Sequence, residues 1–123
     1  MASLKPTSVT LGTDNVAALA RFYQRLLGWD LASADDNWAM LRNPAGGVGL
    51  NFQHEPHHAP AVWPGEPGQQ QMMVHLEILV DELDAALEHA QKCGAKLAGF
   101  QPQADVRVCI DPAGHPFCLY QAG

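Results

Sequence analysis

The sequence predicts an α+β fold: two β-α-β-β-β modules in tandem, forming one domain over residues 1–123. Two observations lead there. The first is an internal repeat. Asp14 opens an apolar-periodic segment that closes at Gly28 and is followed by Pro44-Ala45-Gly46. Asp81 opens a second that closes at Gly94 and is followed by Pro112-Ala113-Gly114. The offsets, 81 − 14 = 67, 94 − 28 = 66 and 112 − 44 = 68, preserve the order. A repeat present only twice indicates paired modules, because a solenoid needs three or more units to bury its faces. The second observation is hydrophobic periodicity, which switches from two residues to 3.6 and back in each half.

The elements follow in order. From Ser8 to Gly12, Val9 and Leu11 alternate with Ser8, Thr10 and Gly12, a half-buried strand. Thr13 or Asp14 can cap a helix over about 14–27, with Val16, Leu19, Ala20, Tyr23, Leu26 and Leu27 as its apolar stripe. Gly28 can take the left-handed conformation that ends it. Strands are expected over 29–34, 38–42 and 48–53, separated by Asp35-Asp36-Asn37 and by the turn at 43–47. In the second module a strand over 72–80 puts Leu76, Ile78 and Val80 on one face and His75, Glu77 and Leu79 on the other. Asp81 then caps a helix over about 81–93, buried through Leu83, Ala86, Leu87 and Ala90. Strands over 96–100, 106–110 and 117–120 complete the unit. Module 1 thus covers about 7–54 and module 2 about 71–122. Between them, about 55–70 carries Pro56, Pro60, Pro64 and Pro67 and two large apolar residues, Val62 and Trp63, so it reads as an irregular linker.

Composition narrows the function classes. With 47% apolar and 16% charged residues the chain is globular. A net charge of −6 argues against nucleic-acid partners. Cys93, Cys109 and Cys118 are odd in number and lie in periodic segments, so reduced thiols are expected. The start Met1-Ala2-Ser3-Leu4-Lys5-Pro6 has no apolar core, and no apolar run reaches the roughly 18 residues of a membrane span. A cytoplasmic location without membrane contact is expected. There is no Gly-rich phosphate loop, Gly-x-Ser-x-Gly elbow or Cys-x-x-Cys pair.

Three stretches carry a family resemblance: Phe22-Tyr23 with Leu26-Leu27-Gly28-Trp29, then 75–81 (His-Leu-Glu-Ile-Leu-Val-Asp), then 111–117 (Asp-Pro-Ala-Gly-His-Pro-Phe). In this order and within the repeat, the chain resembles the vicinal oxygen chelate superfamily, which includes glyoxalase I, bleomycin-resistance proteins, fosfomycin-modifying enzymes and extradiol dioxygenases. It is most similar in texture to the single-domain glyoxalase-like proteins. The resemblance implies sheets curled around a cleft and a homodimer; unpaired edge strands are a physical reason to pair. It also implies metal ligands at the start of each module's first strand and on each last strand. Those positions here are Ser8, His75, Cys118 and one of Gly49, Leu50 or Asn51. Strand alternation, with Val48, Leu50 and Phe52 in the core, favours Gly49 or Asn51. Ser8 and Gly49 are poor ligands, and a catalytic metal ordinarily takes three protein ligands plus an open position. No family-type metal is therefore expected, although a divalent metal is possible.

The expected ligand-binding set is Ser8, Trp38, Met40, His75, Glu77, Arg107 and Cys118, all assigned to cleft-facing parities. Glu77 is either a salt-bridge partner of Arg107 or a general base with a raised pKa. Arg107 is either that partner or a clamp for a carboxylate or phosphate. Arg107 and Cys109 are expected opposite a core face of Val106, Val108 and Ile110. The tract His54-Glu55-Pro56-His57-His58 reads as a solvated loop. The expected function is binding of a small, partly aromatic or cationic molecule. The alternative is a metal-dependent lyase, isomerase or dioxygenase of the glyoxalase type.

Overall fold

A computed structural model describes residues 2–122. The chain divides into two compact units, Met1–His58 and Ala59–Gly123, so the boundary falls inside the proline-rich linker.

The first unit runs β1 (Ser8–Thr13), α1 (Val16–Leu27), β2 (Asp30–Ala34), β3 (Trp38–Arg42) and β4 (Gly49–His54). Its sheet order is β1-β4-β3-β2, with β1 parallel to β4 and the other pairs antiparallel. Helix α1 is capped by Asn15, one residue after Asp14 and two after Thr13, the expected caps: its side chain accepts from Ala18 N, while the Thr13 hydroxyl accepts from Asn15 N. Gly28, at φ 69°, closes the helix as expected. The apolar stripe of α1 meets Ala39, Leu41, Leu50 and Phe52, all at most 4% exposed. Tyr23 stacks on Phe52 at 5.8 Å and meets Phe22 edge-on at 4.8 Å, pairs that add roughly 0.5–1.5 kcal/mol each beyond area burial. Val48 does not join this core. It precedes β4 in the turn, its carbonyl accepts from Asn43 Nδ2, and it is exposed.

The second unit runs β5 (Leu76–Val80), α2 (Leu83–Cys93), β6 (Lys96–Leu97), β7 (Val106–Ile110) and β8 (Pro116–Gln121), in the sheet order β5-β8-β7-β6. The same β-α-β-β-β order thus appears twice, as expected. Helix α2 is capped by Glu82 rather than Asp81: the longer carboxylate accepts from both Asp84 N and Ala85 N. Two strands are shorter than expected. The strand expected from residue 72 begins at Leu76. That expected over 96–100 stops at Leu97, because the Gln101 side chain takes over the pairing. Its amide accepts from Val108 N and donates to Val108 O, doing locally what a continued strand would do.

The faces of the second sheet follow from its register. Glu77 pairs with Cys118, and Cys118 with Val108, so these three share one face. Leu76, Phe117 and Cys109 form the neighbouring row on the other face. That other face is the one α2 covers, since Gln121, in the parity of Phe117 and Leu119, accepts from Leu83 N at the start of α2. Among the described residues no helix is long and apolar enough to cross a membrane.

Candidate functional site

The second unit brings three of the expected residues together on the sheet face away from α2. Parallel pairing of β5 with β8 sets Glu77 beside Cys118. His75, just before β5, reaches back to Glu77, with Nε2 at 2.8 Å from Oε1. The ligand atoms of His75, Glu77 and Cys118 all lie within 4.8 Å of one another. Cys118 is buried at 3% exposure, whereas the Glu77 side chain is 54% exposed, so the cluster has a closed floor and an open rim.

An aromatic wall adjoins the cluster. The Trp63 ring lies 4.8 Å from the His75 ring at 36°, and 5.2 Å from Phe100 at 64°. Neither Trp63 nor Phe100 was in the expected set. A signal for Trp63 was present, since a lone large aromatic in a proline-rich linker needs something to pack against. Phe100 carried no such signal, because it was expected in a strand that ends at Leu97.

Arg107 is not part of this arrangement. It pairs with Leu119 in the register, which places it on the α2 side of the sheet, opposite Glu77. Its guanidinium donates to the carbonyls of Ala104 and Val106. A salt bridge with Arg107, one of the two alternatives open for Glu77, does not form; the Glu77 carboxylate meets His75 instead. Cys109 likewise lies on the helix side at 0% exposure, and Val106, Val108 and Ile110 take the Cys118 face. The parity expected for β7 was inverted, because all five of its residues are half-buried or buried and no polar alternation marks the faces.

The first unit has its own equivalent face. Ser8, Thr10, Asn51, Met40 and Trp38 share it by register: Thr10 pairs with Asn51 and Asn51 with Met40. The register also settles the last-strand position left open by the sequence. The separations 75 − 8, 77 − 10 and 118 − 51 are all 67, so Asn51, not Gly49, is the counterpart of Cys118. Gly49 has a packing reason instead, since a Cβ there would stand 2.8 Å from the Leu41 carbonyl oxygen. Asn51 Nδ2 donates to Ser8 Oγ at 2.8 Å, so two neutral groups satisfy each other where the family places metal ligands. A groove of about 600 Å³ between α1 and β2 contains none of these residues.

Both buried thiols are pushed up to about 11 from 9.0. Burial is the main cause in each; Cys118 adds to the effect on Cys109, and Glu77 to that on Cys118. A raised folded-state pKa means that the protonated thiol favours the fold. This stability is complete below pH 9 and is lost as pH rises through about 11, on the order of 2 kcal/mol per thiol. The wild type should lose more stability between about pH 8 and 10.5 than the double variant Cys109→Ser/Cys118→Ser. Parallel declines in urea midpoints would refute this.

Two β-α-β-β-β units, the second carrying a His-Glu-Cys cluster at the strand positions described, define a protein of the vicinal oxygen chelate class. The glyoxalase-like domain model matches residues 8–120, and the chain belongs to that family. No curated protein matches the chain. Among solved structures it is similar to a glyoxalase/bleomycin resistance protein/dioxygenase family enzyme from Burkholderia phytofirmans PsJN (TM-score 0.72, 17% identity, covering 96% of this chain and 98% of that one). It is also similar to TnmS3, an antibiotic binding protein from Streptomyces sp. CB03234 (0.67, 18%, 100% and 99%). A third is the fosfomycin resistance protein FosX from Mesorhizobium loti (0.70, 13%, 100% and 95%). At these identities the likeness is one of fold.

Proposed function

We propose that this protein binds a small organic molecule, planar and carrying a cationic or hydrogen-bond-donating group, without a catalytic metal of the family type. The observation that carries the reading is the wall of Trp63, His75 and Phe100 beside the half-exposed Glu77 carboxylate. Aromatic faces take a flat ligand, and a cation over them gains about 0.5–2 kcal/mol more. TnmS3 binds an antibiotic, and a ligand of that kind is the proposal here. The first unit offers Ser8, Trp38 and Met40 as its own candidate contacts. The family's four-ligand metal set does not fit this chain, because Ser8 and Asn51 contribute a hydroxyl and an amide already bonded to each other.

Homodimerisation and a cytoplasmic location belong to the same proposal. Met73, Val74 and Leu79, all more than half exposed in or beside the edge strand β5, support the dimer. A monomer in sedimentation at micromolar concentration would remove that part.

The test is calorimetric titration of chelator-treated protein with a panel of planar cationic and neutral organic molecules. Trp63→Ala is expected to weaken binding by about tenfold or more, close to 1.4 kcal/mol. Glu77→Gln should weaken the cationic members selectively, and His75→Ala should have a modest effect. Unchanged affinity in both Trp63→Ala and Glu77→Gln would sink the proposal. The second reading is a metal-dependent lyase, isomerase or dioxygenase with Glu77 as general base, which the clustering of His75, Glu77 and Cys118 favours. Metal-dependent turnover of a glutathione hemithioacetal or a catechol would establish it.

A further inference from the structure

We infer that the groove between α1 and β2 in the first unit binds a linear zwitterion with an apolar middle, its carboxylate at Arg21 and Arg25 and its ammonium at Asp36. This goes beyond the function proposed above. The groove lies on the α1 side of the first sheet and shares no residue with the Trp63 wall or the His75 cluster. Its failure as a site would leave that reading untouched.

The groove exists because α1 stops short of the edge strand. Ala39 and Leu41 of β3 are buried under the helix, at 1% and 2% exposure, but their partners on β2, Ala34 and Leu31, are exposed on that same face. A register irregularity between Leu31 and Ser33 turns Ser33 to the Met40 side and keeps Leu31 and Ala34 toward the helix. On the helix, Ala17, Ala20, Arg21 and Gln24 follow at i, i+3, i+4 and i+7 and form the facing wall. Small side chains on both walls leave about 600 Å³, within the roughly 300–1,000 Å³ typical of small-molecule sites.

Charge is divided along this groove. β1 is parallel to β4, and β3 is antiparallel to both β4 and β2, so β2 runs parallel to β1. Helix α1 returns from the end of β1 to the start of β2 and therefore runs against β2. The arginines thus lie toward the start of β2, and Asp35 and Asp36 lie past its end, beside Val16. At about 1.5 Å per helical residue, Arg21 and Arg25 stand roughly 8 and 14 Å along the axis from Val16. Arg21 and Asp36 have no hydrogen bond or ion pair among the described residues, whereas Asp35 is held by Asn37 N and Trp38 N. Two cations at i, i+4 repel each other mildly, and a carboxylate between them relieves that. An extended tripeptide spans about 10 Å, so a short apolar peptide with free termini, or an ω-amino acid of similar length, has the charge spacing required.

The experiment follows backbone amide shifts of the isotope-labelled full chain by heteronuclear NMR during titration with ω-aminooctanoic acid and with trileucine. Octanoic acid and octylamine, each carrying one of the two charges, are the controls. Saturable shifts confined to residues 16–25 and 31–36 are expected for a zwitterionic probe, and the tighter of the two shows whether the source is an amino acid or a peptide. Exposed charge pairs are weak, so each single-charge control should bind about two- to fivefold more weakly, and added salt should weaken the zwitterion. Arg21→Gln and Asp36→Asn, both at exposed positions that leave the core intact, should each lower affinity by a similar factor. Ala17→Leu should narrow the groove and lower affinity without changing any charge. The proposal is overturned if neither zwitterion saturates the protein by tens of millimolar, or if octanoic acid or octylamine binds as tightly as ω-aminooctanoic acid. It is equally overturned if either Arg21→Gln or Asp36→Asn keeps the wild-type affinity. Shifts centred on Trp63 and His75 would also overturn it, by assigning the probe to the second unit.

Discussion

Phe117→Ala should destabilise the protein by about 3–5 kcal/mol, the loss typical of a large aromatic removed from a closed core. Phe117 is 0% exposed and sits on β8, which is flanked by β5 on one side and β7 on the other. Its row across the sheet is Leu76, Phe117 and Cys109, on the side that α2 covers. Hydrophobic contact on both sides of the ring leaves little room for neighbours to collapse into the cavity, so the cost should fall toward the upper end. Total stabilities are only about 5–15 kcal/mol, so much of the fold's margin would be gone. The site should suffer with it, because the register that places Phe117 against Leu76 also places Cys118 beside Glu77. Urea denaturation should show a lower midpoint with an unchanged slope. A loss below about 1 kcal/mol would mean that Phe117 is not at the centre of this core.

Gly114→Ala should have the second-largest effect, for two separable reasons. Gly114 has φ 86°, a left-handed conformation that costs a residue with a side chain about 1–3 kcal/mol. A methyl group there would also collide with the Pro60 ring and lie 2.8 Å from Pro60 Cα. Backbone and a proline ring cannot yield as a flexible side chain would, so the 60–61 segment must move. Its hydrogen bond from Ala61 N to Gly114 O, 3.2 Å long, would be strained with it. Trp63 follows two residues later, so the displacement reaches the aromatic wall beside His75. Gly68→Ala is the control, because it has φ 79° and open space around its Cβ position. Gly114→Ala should exceed it in lost stability and alone should alter Trp63 fluorescence, read in a Trp29→Phe/Trp38→Phe background. If the two alanine variants were equally mild, the packing of Pro60 on the 111–114 turn would be wrong.

The repeat, the helix stripes and the turn residues were legible in the sequence because they are local. Periodicity of 3.6 or two, a glycine at a helix end and prolines in a linker act through the nearest few residues. They placed both helices and most strands within a few residues, and the two-module fold followed from their order. The same locality set the parity of Ser8 within its strand, of Trp38 with Met40 within theirs, and of His75 with Glu77 within a third, since each was read along one strand. Parity failed for Arg107 and Cys109, where β7 is half-buried or buried throughout and either face could have been the core. It also left Gly49 and Asn51 undecided, because the turn at 43–47 could be counted in more than one register. Those choices belong to pairing between strands far apart in the chain: Glu77 with Cys118, Cys118 with Val108, Thr10 with Asn51. Trp63 and Phe100 are the same case, since irregular backbone has no period from which a side-chain direction can be read. Local steric preferences determine which elements form. Which side chains meet depends on hydrogen-bond register and on packing between distant segments, and only the tertiary structure decided that His75, Glu77 and Cys118 lie together on a sheet face that Arg107 does not share.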